Sequence, residues 1–359
     1  MGRYKRSLPW AFNQFINYIS QDFAYKSDAG FCKPSRIIFC LTLRCNIKCK
    51  QCGIWRSPKK KELSTEEWKM IMLALKNWLG PYRVQVAGGE IFIRDDIVEL
   101  VRFAQNDNIL IGMVSNGTMI DNEMAKSLVN AGLSYIDISI DGIRPETHDF
   151  IRGVKGVHEK ATGAIHHLKN HAERENSSLS ITVATIIMGY NMDELIDIVE
   201  WTEKEGLNGV IFNPLGPACD SDSQWYEKSD LWPKKQDLEK LDGILDKLIE
   251  MKKSGAKILN TEDQFLAMKS YFRNPSIPRG NNCRVGVTNF LLSCDGEIHL
   301  CFHMPSIGNF REPLRNVWNS EKAKTARKMI KQCRYECSPG NFIYRRSLIK
   351  EIQRYLEYR

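Results

Sequence analysis

Between Ser35 and Asn213 short apolar runs alternate with longer amphipathic ones, and no other feature limits the fold of this chain as strongly. Strand-like runs lie at 36–43, 83–87, 109–115, 135–140, 180–187 and 209–213, rich in Val, Ile and Thr and bounded by turn residues. Helix-like stretches fall at 64–79, 96–106, 122–131, 158–171 and 192–205. Ser64-Thr-Glu-Glu67 reads as a capping box that opens the first of them. Strands alternating with helices in this way predict an α/β chain of parallel β/α units.

The flanks follow other patterns. Residues 1–34 carry Trp10, Phe12, Phe15, Ile16, Tyr18, Phe23 and Tyr25 at loosely helical spacing, which predicts a helical extension packed on the main domain. That stretch is too short to fold as a domain of its own. Pro214, Gly216, Pro217 and Pro233 mark a connection, a helix is expected at 235–253, and 275–282 is a second break. The expected units are therefore 1–34, a main domain at 35–235, a helical connection at 236–280, a small domain at 281–340 and a helix at 341–359.

Several function classes drop out. No apolar run approaches the roughly 18 residues that span a bilayer, and no signal-peptide core follows the basic start, so a cytoplasmic protein without a transmembrane segment is expected. The net charge of +8 is scattered, its densest run, Lys59 to Lys61, reading as a solvated loop. No nucleic-acid-reading module matches, and no nucleic-acid partner is expected.

Eleven cysteines carry more information. A reducing compartment disfavours disulfides, so this number of thiols points to metal. Cys45, Cys49 and Cys52 follow the first strand, separated by three and then two residues. Cubane iron–sulfur clusters take four thiolates, so three on one loop leave an iron open to substrate or cofactor. A structural zinc site is the alternative, although zinc motifs generally pair two Cys-x2-Cys units.

This loop resembles the cluster loop of radical S-adenosylmethionine enzymes. The resemblance implies a partial (β/α)6 barrel, a 4Fe-4S cluster on Cys45, Cys49 and Cys52, and S-adenosylmethionine bound at the open iron. Reductive cleavage then yields methionine and a 5′-deoxyadenosyl radical. Gln51 departs from the family, which often has an aromatic residue there near the adenine. Gly88-Gly89-Glu90 resembles the motif that holds the methionine amino group, the glycines allowing close backbone approach to a ligand. Ser115, Asn116, Ser139, Asp141 and Asn213 stand at strand ends, where the family contacts its cofactor and α/β folds bind ligands. Arg152 has three options: a carboxylate of cofactor or substrate, Asp149, or Glu146. His166, His167 and His171 read as ordinary surface or interface residues.

A second group lies in the tail. A strand at 285–293, a turn at Asp295-Gly296 and a return at 297–300 form a hairpin whose open ends bring Cys283 near Cys301. Cys294 sits at the turn, roughly 15–20 Å away at 3.3 Å per residue, and is rejected as a ligand. Cys333 and Cys337 lie in or after a helix that starts near Glu321. The set resembles the twitch form of the auxiliary-cluster domain, a β-hairpin plus helix, and implies an auxiliary 4Fe-4S cluster on Cys283, Cys301, Cys333 and Cys337. The longer SPASM form carries more cysteines, and zinc is the alternative occupant. Cys32, Cys40 and Cys294 read as structural.

The implied activity is hydrogen abstraction followed by two-electron oxidation of a small hydroxylated molecule, with flavodoxin or ferredoxin as reducing partner. Alternatives are an epimerase with Cys219 as hydrogen donor and a maturase acting on a peptide substrate. Outside enzymes, the alternatives are an electron carrier and a zinc-stabilised binding protein.

Overall fold

A computed structural model describes residues 8–27, 32–218, 224–276 and 283–337. Cys219 and the helix expected at 341–359 lie outside the described residues.

The extension is helix α1 (Leu8–Ser27). Six β/α steps follow: β1 (Arg36–Thr42), α2 (Thr65–Leu79), β2 (Arg83–Gly88), α3 (Ile97–Asn106), β3 (Leu110–Ser115), α4 (Asn122–Ala131), β4 (Tyr135–Ser139), α5 (Pro145–Arg152), α6 (Val157–Arg174), β5 (Ser180–Ile187), α7 (Leu195–Lys204) and β6 (Gly209–Pro214). Then come α8 (Leu238–Lys253), α9 (Glu262–Arg273), α10 (Val285–Thr288), β7 (Asn289–Leu292), β8 (Glu297–His299), β9 (Gly308–Asn309), α11 (Leu314–Asn319) and α12 (Glu321–Lys331). Among the described residues nine strands form one sheet in the order β6-β5-β4-β3-β2-β1-β7-β8-β9. The first six are parallel, as expected of a partial barrel, and β6 and β9 are the edges.

Local chemistry sets the helix starts. Ser64 and Glu67 form the expected capping box, with Ser64 Oγ accepting from Glu67 N and Glu67 accepting from Ser64 N at 2.9 Å. Thr261 and Gln264 form a second box at the start of α9. The sheet then divides by parity. Phe39, Val84, Val86, Ile111, Met113, Ile136 and Ile138 face the helices and are fully buried against residues such as Trp68, Leu100 and Leu168. The alternate residues Gln85, Ala87, Gly112, Asp137 and Thr182 line the other face, where Gln85 and Thr182 both donate to the Asp137 carboxylate.

One expectation changes. The sequence predicts a single strand over 285–293, but Val285–Thr288 is a helical turn and only Asn289–Leu292 is extended. Gly286 lies against α12, where Arg327 Nε donates to its carbonyl at 3.0 Å, and Thr288 Oγ1 returns to the Arg284 carbonyl. These contacts outweigh the β-propensity of two valines. The remaining strand β7 runs parallel to β1 and antiparallel to β8, so the hairpin continues the sheet of the barrel.

Candidate functional site

The polar side chains of interest gather where the parallel strands end, and the loop after β1 is held there from several sides. Gly89 N donates to Thr42 O at 2.8 Å and Glu90 N to Arg44 O at 2.9 Å. A Cβ on Gly88 would lie 2.3 Å from Thr42 O, and one on Gly89 1.9 Å from Arg44 O. The glycines were expected to admit a ligand; the backbone they admit is that of the cysteine loop itself. Behind it, Glu62 receives Thr42 Oγ1 at 2.5 Å and a bidentate Arg44 at 3.0 Å, and Arg94 bridges Glu62 to Asp96.

Helix α5, whose eight residues carry no helical pattern long enough to predict it, braces the far side of the loop. Lys50 N donates to Ile151 O at 2.9 Å, and a Cβ on Gly153 (φ 72°) would sit 2.3 Å from Lys48 O. Cys45, Cys49 and Cys52 cluster with Ile47 and Val157, Cys49 buried and the other two half-buried. Burial pushes the Cys49 thiol up to about 11. Of the nearby charges, Arg152 opposes that rise most, and Cys52 and Asp141 add to it.

Glu90 is buried and accepts from Ser115 Oγ (2.9 Å), Asn116 N (2.9 Å) and Phe92 N (3.3 Å), while burial raises its pKa. It ties the end of β2 to the end of β3. Asn116, expected at the cofactor, spends its amide locally: Nδ2 donates to Asn46 Oδ1 in the cysteine loop at 3.0 Å, and Oδ1 accepts from Thr118. Ser139 is buried at the end of β4, and Asn213 stands opposite Ile186 in the β5–β6 register.

Arg152 pairs with Asp141 at 2.7 Å, not with Asp149 or Glu146. Asp149 instead caps the turn into α6 through Gly156 N (2.5 Å) and His158 N (2.9 Å). Asp141 is fully buried; Oδ2 also accepts from Gln51 Nε2 (3.0 Å) and Oδ1 from Ile186 N (2.9 Å). Its backbone N–H donates to His148 Nδ1 at 3.0 Å. Three buried atoms of this network have no partner among the described residues, the acceptor Gln51 Oε1 and the donors Arg152 Nε and His148 Nε2. They suit a ligand that brings both a donor and an acceptor.

In the tail, Cys283, Cys301, Cys333 and Cys337 come together: the last three act electrostatically on Cys283, and burial raises Cys283 to about 12 and Cys301 to about 11. Cys294 lies apart and buried at the hairpin turn, where Leu63 N donates to its carbonyl at 2.8 Å. Lys60 pairs with Asp295 at 2.6 Å, so that basic run is tied to the hairpin and is not simply solvated. Among the described residues no three His, Cys, Asp or Glu side chains converge on a single metal ion. A cubane spreads its thiolates over four irons and holds them further apart.

Residues 39–202 match the Radical SAM superfamily, and residues 283–338 match SPASM, an iron–sulfur cluster-binding domain. Over 307 residues, 80% of this chain and 74% of its relative, the sequence is 30% identical to the Fe-coproporphyrin III synthase of Methanosarcina barkeri. The chain is a radical S-adenosylmethionine enzyme. Its family brings a 4Fe-4S cluster, an auxiliary cluster and S-adenosylmethionine. The two thiol groups and the unpartnered Gln51 and Arg152 atoms fit them. The matched tail is an iron–sulfur domain, which sets the zinc alternative aside. This enzyme is 26% identical over 313 residues to the AdoMet-dependent heme synthase of the same organism (82% of this chain, 84% of the other). It is 30% identical over 169 residues to the PqqA peptide cyclase of Rhizobium meliloti, 46% of this chain and 43% of that one. Streptococcus suis SuiB bound to precursor peptide SuiA superposes with TM-score 0.65 at 15% identity, over 96% of this chain and 82% of that chain. Native anSMEcpe with bound AdoMet and Cp18Cys peptide gives 0.64 at 17%, over 91% and 96%. These likenesses show the fold. Among the described residues no helix is long and apolar enough to cross a membrane.

Proposed function

We propose that this enzyme carries out a two-electron oxidation of a small hydroxylated molecule. Cys45, Cys49 and Cys52 hold the radical-generating cluster, and Cys283, Cys301, Cys333 and Cys337 hold one auxiliary cluster in the shortened, twitch-like form. When bound, the first cluster with S-adenosylmethionine supplies a 5′-deoxyadenosyl radical that takes a hydrogen atom from carbon, and the second supplies an acceptor for one electron. An alcohol carbon that loses a hydrogen atom, one electron and a proton becomes a carbonyl, which balances the reaction.

The carrying observation is the convergence of four tail thiols, enough to ligate a cubane fully and leave no iron for substrate. A fully ligated cluster suits electron transfer. For the cofactor, Arg152 Nε offers a donor to its carboxylate and Gln51 Oε1 an acceptor to one of its N–H groups. Within the barrel, Gln85, Asp137 and Thr182 give the sheet face opposite the helices a hydrogen-bonding layer suited to hydroxyl groups. Two further facts favour a small molecule over a peptide. The relatives that match most of this chain are named for coproporphyrin and heme synthesis, and the peptide cyclase matches under half of it. The test is anaerobic turnover of reconstituted enzyme with a panel of polyols and amino sugars, scored for 5′-deoxyadenosine and a new carbonyl in equal amounts. A product with unchanged oxidation level would overturn the oxidation reading.

A further inference from the structure

We propose that Arg152, gripped by Asp141 and Gln51, sets the charge felt at the Cys49 sulfur and thereby tunes the reduction potential of the radical-generating cluster. This rests on the reading that Cys49 is one of that cluster's ligands. The geometry is that of a fixed charge. Arg152 Nη1 stands 4.0 Å from Cys49 Sγ, while Nη2 is pinned 2.7 Å from Asp141 Oδ2. Asp141 is itself fastened by Ile186 N, and its own N–H is bound to His148 Nδ1. Both partners of the ion pair are buried, so water screens them weakly.

Gln51 lies on the loop between Cys49 and Cys52, and its Nε2 reaches the same carboxylate oxygen at 3.0 Å. The loop that carries the thiols is thus tied to the group that holds the guanidinium. A reduced cluster carries one more negative charge, which a neighbouring guanidinium stabilises. Net charge and hydrogen bonding to the sulfurs are established controls on cluster potential. Arg152 acts on the sulfur directly, Asp141 opposes it more weakly, and Gln51 is a positioning residue.

The two charges have opposite effects, and this separates tuning from mere bracing. Reconstituted full-length enzyme is titrated potentiometrically, following the EPR signal that changes on adding S-adenosylmethionine. Asp141→Asn keeps an oxygen for Arg152 and removes the negative charge, so the midpoint should rise. Arg152→Gln combined with Asp141→Asn removes both members of the ion pair together, so neither is left without the other. Its midpoint should fall below wild type, with reduction about tenfold less favourable, or about 59 mV for one electron. Gln51→Leu, at a half-exposed position, should lower it by less. Where Asp141→Asn alone does not fold, the double variant and Gln51→Leu decide. Unchanged midpoints in both, with full iron, would overturn the proposal, as would an Asp141→Asn shift of the same sign as the double variant. Cys49→Ala tests the ligand reading separately: a surviving S-adenosylmethionine-responsive signal means Cys49 is not a ligand.

Discussion

The backbone N–H of Gly89 donates to the carbonyl of Thr42 at 2.8 Å, which stitches the turn after β2 onto the base of the cysteine loop. No side chain fits between them, since a Cβ on Gly89 would lie 1.9 Å from Arg44 O. Gly89→Ala should therefore displace the loop and destabilise the fold by about 1–3 kcal/mol, the usual cost of overpacking. The readouts are the thermal midpoint and iron content. Loss is expected at the first cluster with the auxiliary cluster retained.

Cluster content follows from the two thiol groups. Anaerobic reconstitution should give about eight irons per chain if both clusters are cubanes. Replacing Cys45, Cys49 and Cys52 together with Ala should leave about half of that iron. Zinc in place of the remaining half would overturn the assignment of the tail.

Glu62 gives a pH signature. Burial alone would raise its pKa, but hydrogen bonds from Arg44 and Thr42 and the nearby Arg94 together hold it below its ordinary value of 4.5. A depressed folded pKa contributes stability above the unfolded value, and that contribution is lost as pH falls through the folded one. Glu62→Gln should cost about 1.5–3 kcal/mol near neutral pH, the range for hydrogen bonds to charged groups. In denaturant melts the gap to wild type should close on acidification below about 4.5. A gap that is constant with pH would mean that the charge of Glu62 is unimportant.

Oxidation and epimerisation make opposite demands on Cys219 and Cys333. Under oxidation, Cys219→Ala should turn over nearly as wild type, and product made in heavy water should gain no deuterium at carbon. Cys333→Ala should still form 5′-deoxyadenosine and lose the product. Carbon-bound deuterium that disappears in Cys219→Ala would reverse the assignment and make Cys219 the hydrogen donor.

The six parallel strands, their helices apart from α5, and the three-cysteine loop were legible in the sequence, because periodicity and ligand spacing are local properties. The same holds for the Ser64–Glu67 cap and for the hairpin turn at Asp295-Gly296. What the local pattern did not contain was partnership. Arg152 had three nearby or ligand carboxylates to choose from, and folding gave it Asp141, eleven residues back in sequence and at the mouth of the barrel. Gln51 looked like a departure from an aromatic position, and only the packed structure placed it on that carboxylate. The helical turn at Val285–Thr288 came from α12 pressing on Gly286, a contact no window of sequence contains. Local sequence fixes most of the elements and which thiols are available. Long-range packing decides which buried charge faces which sulfur, because a buried charge must find a partner and takes the one that the fold brings within reach.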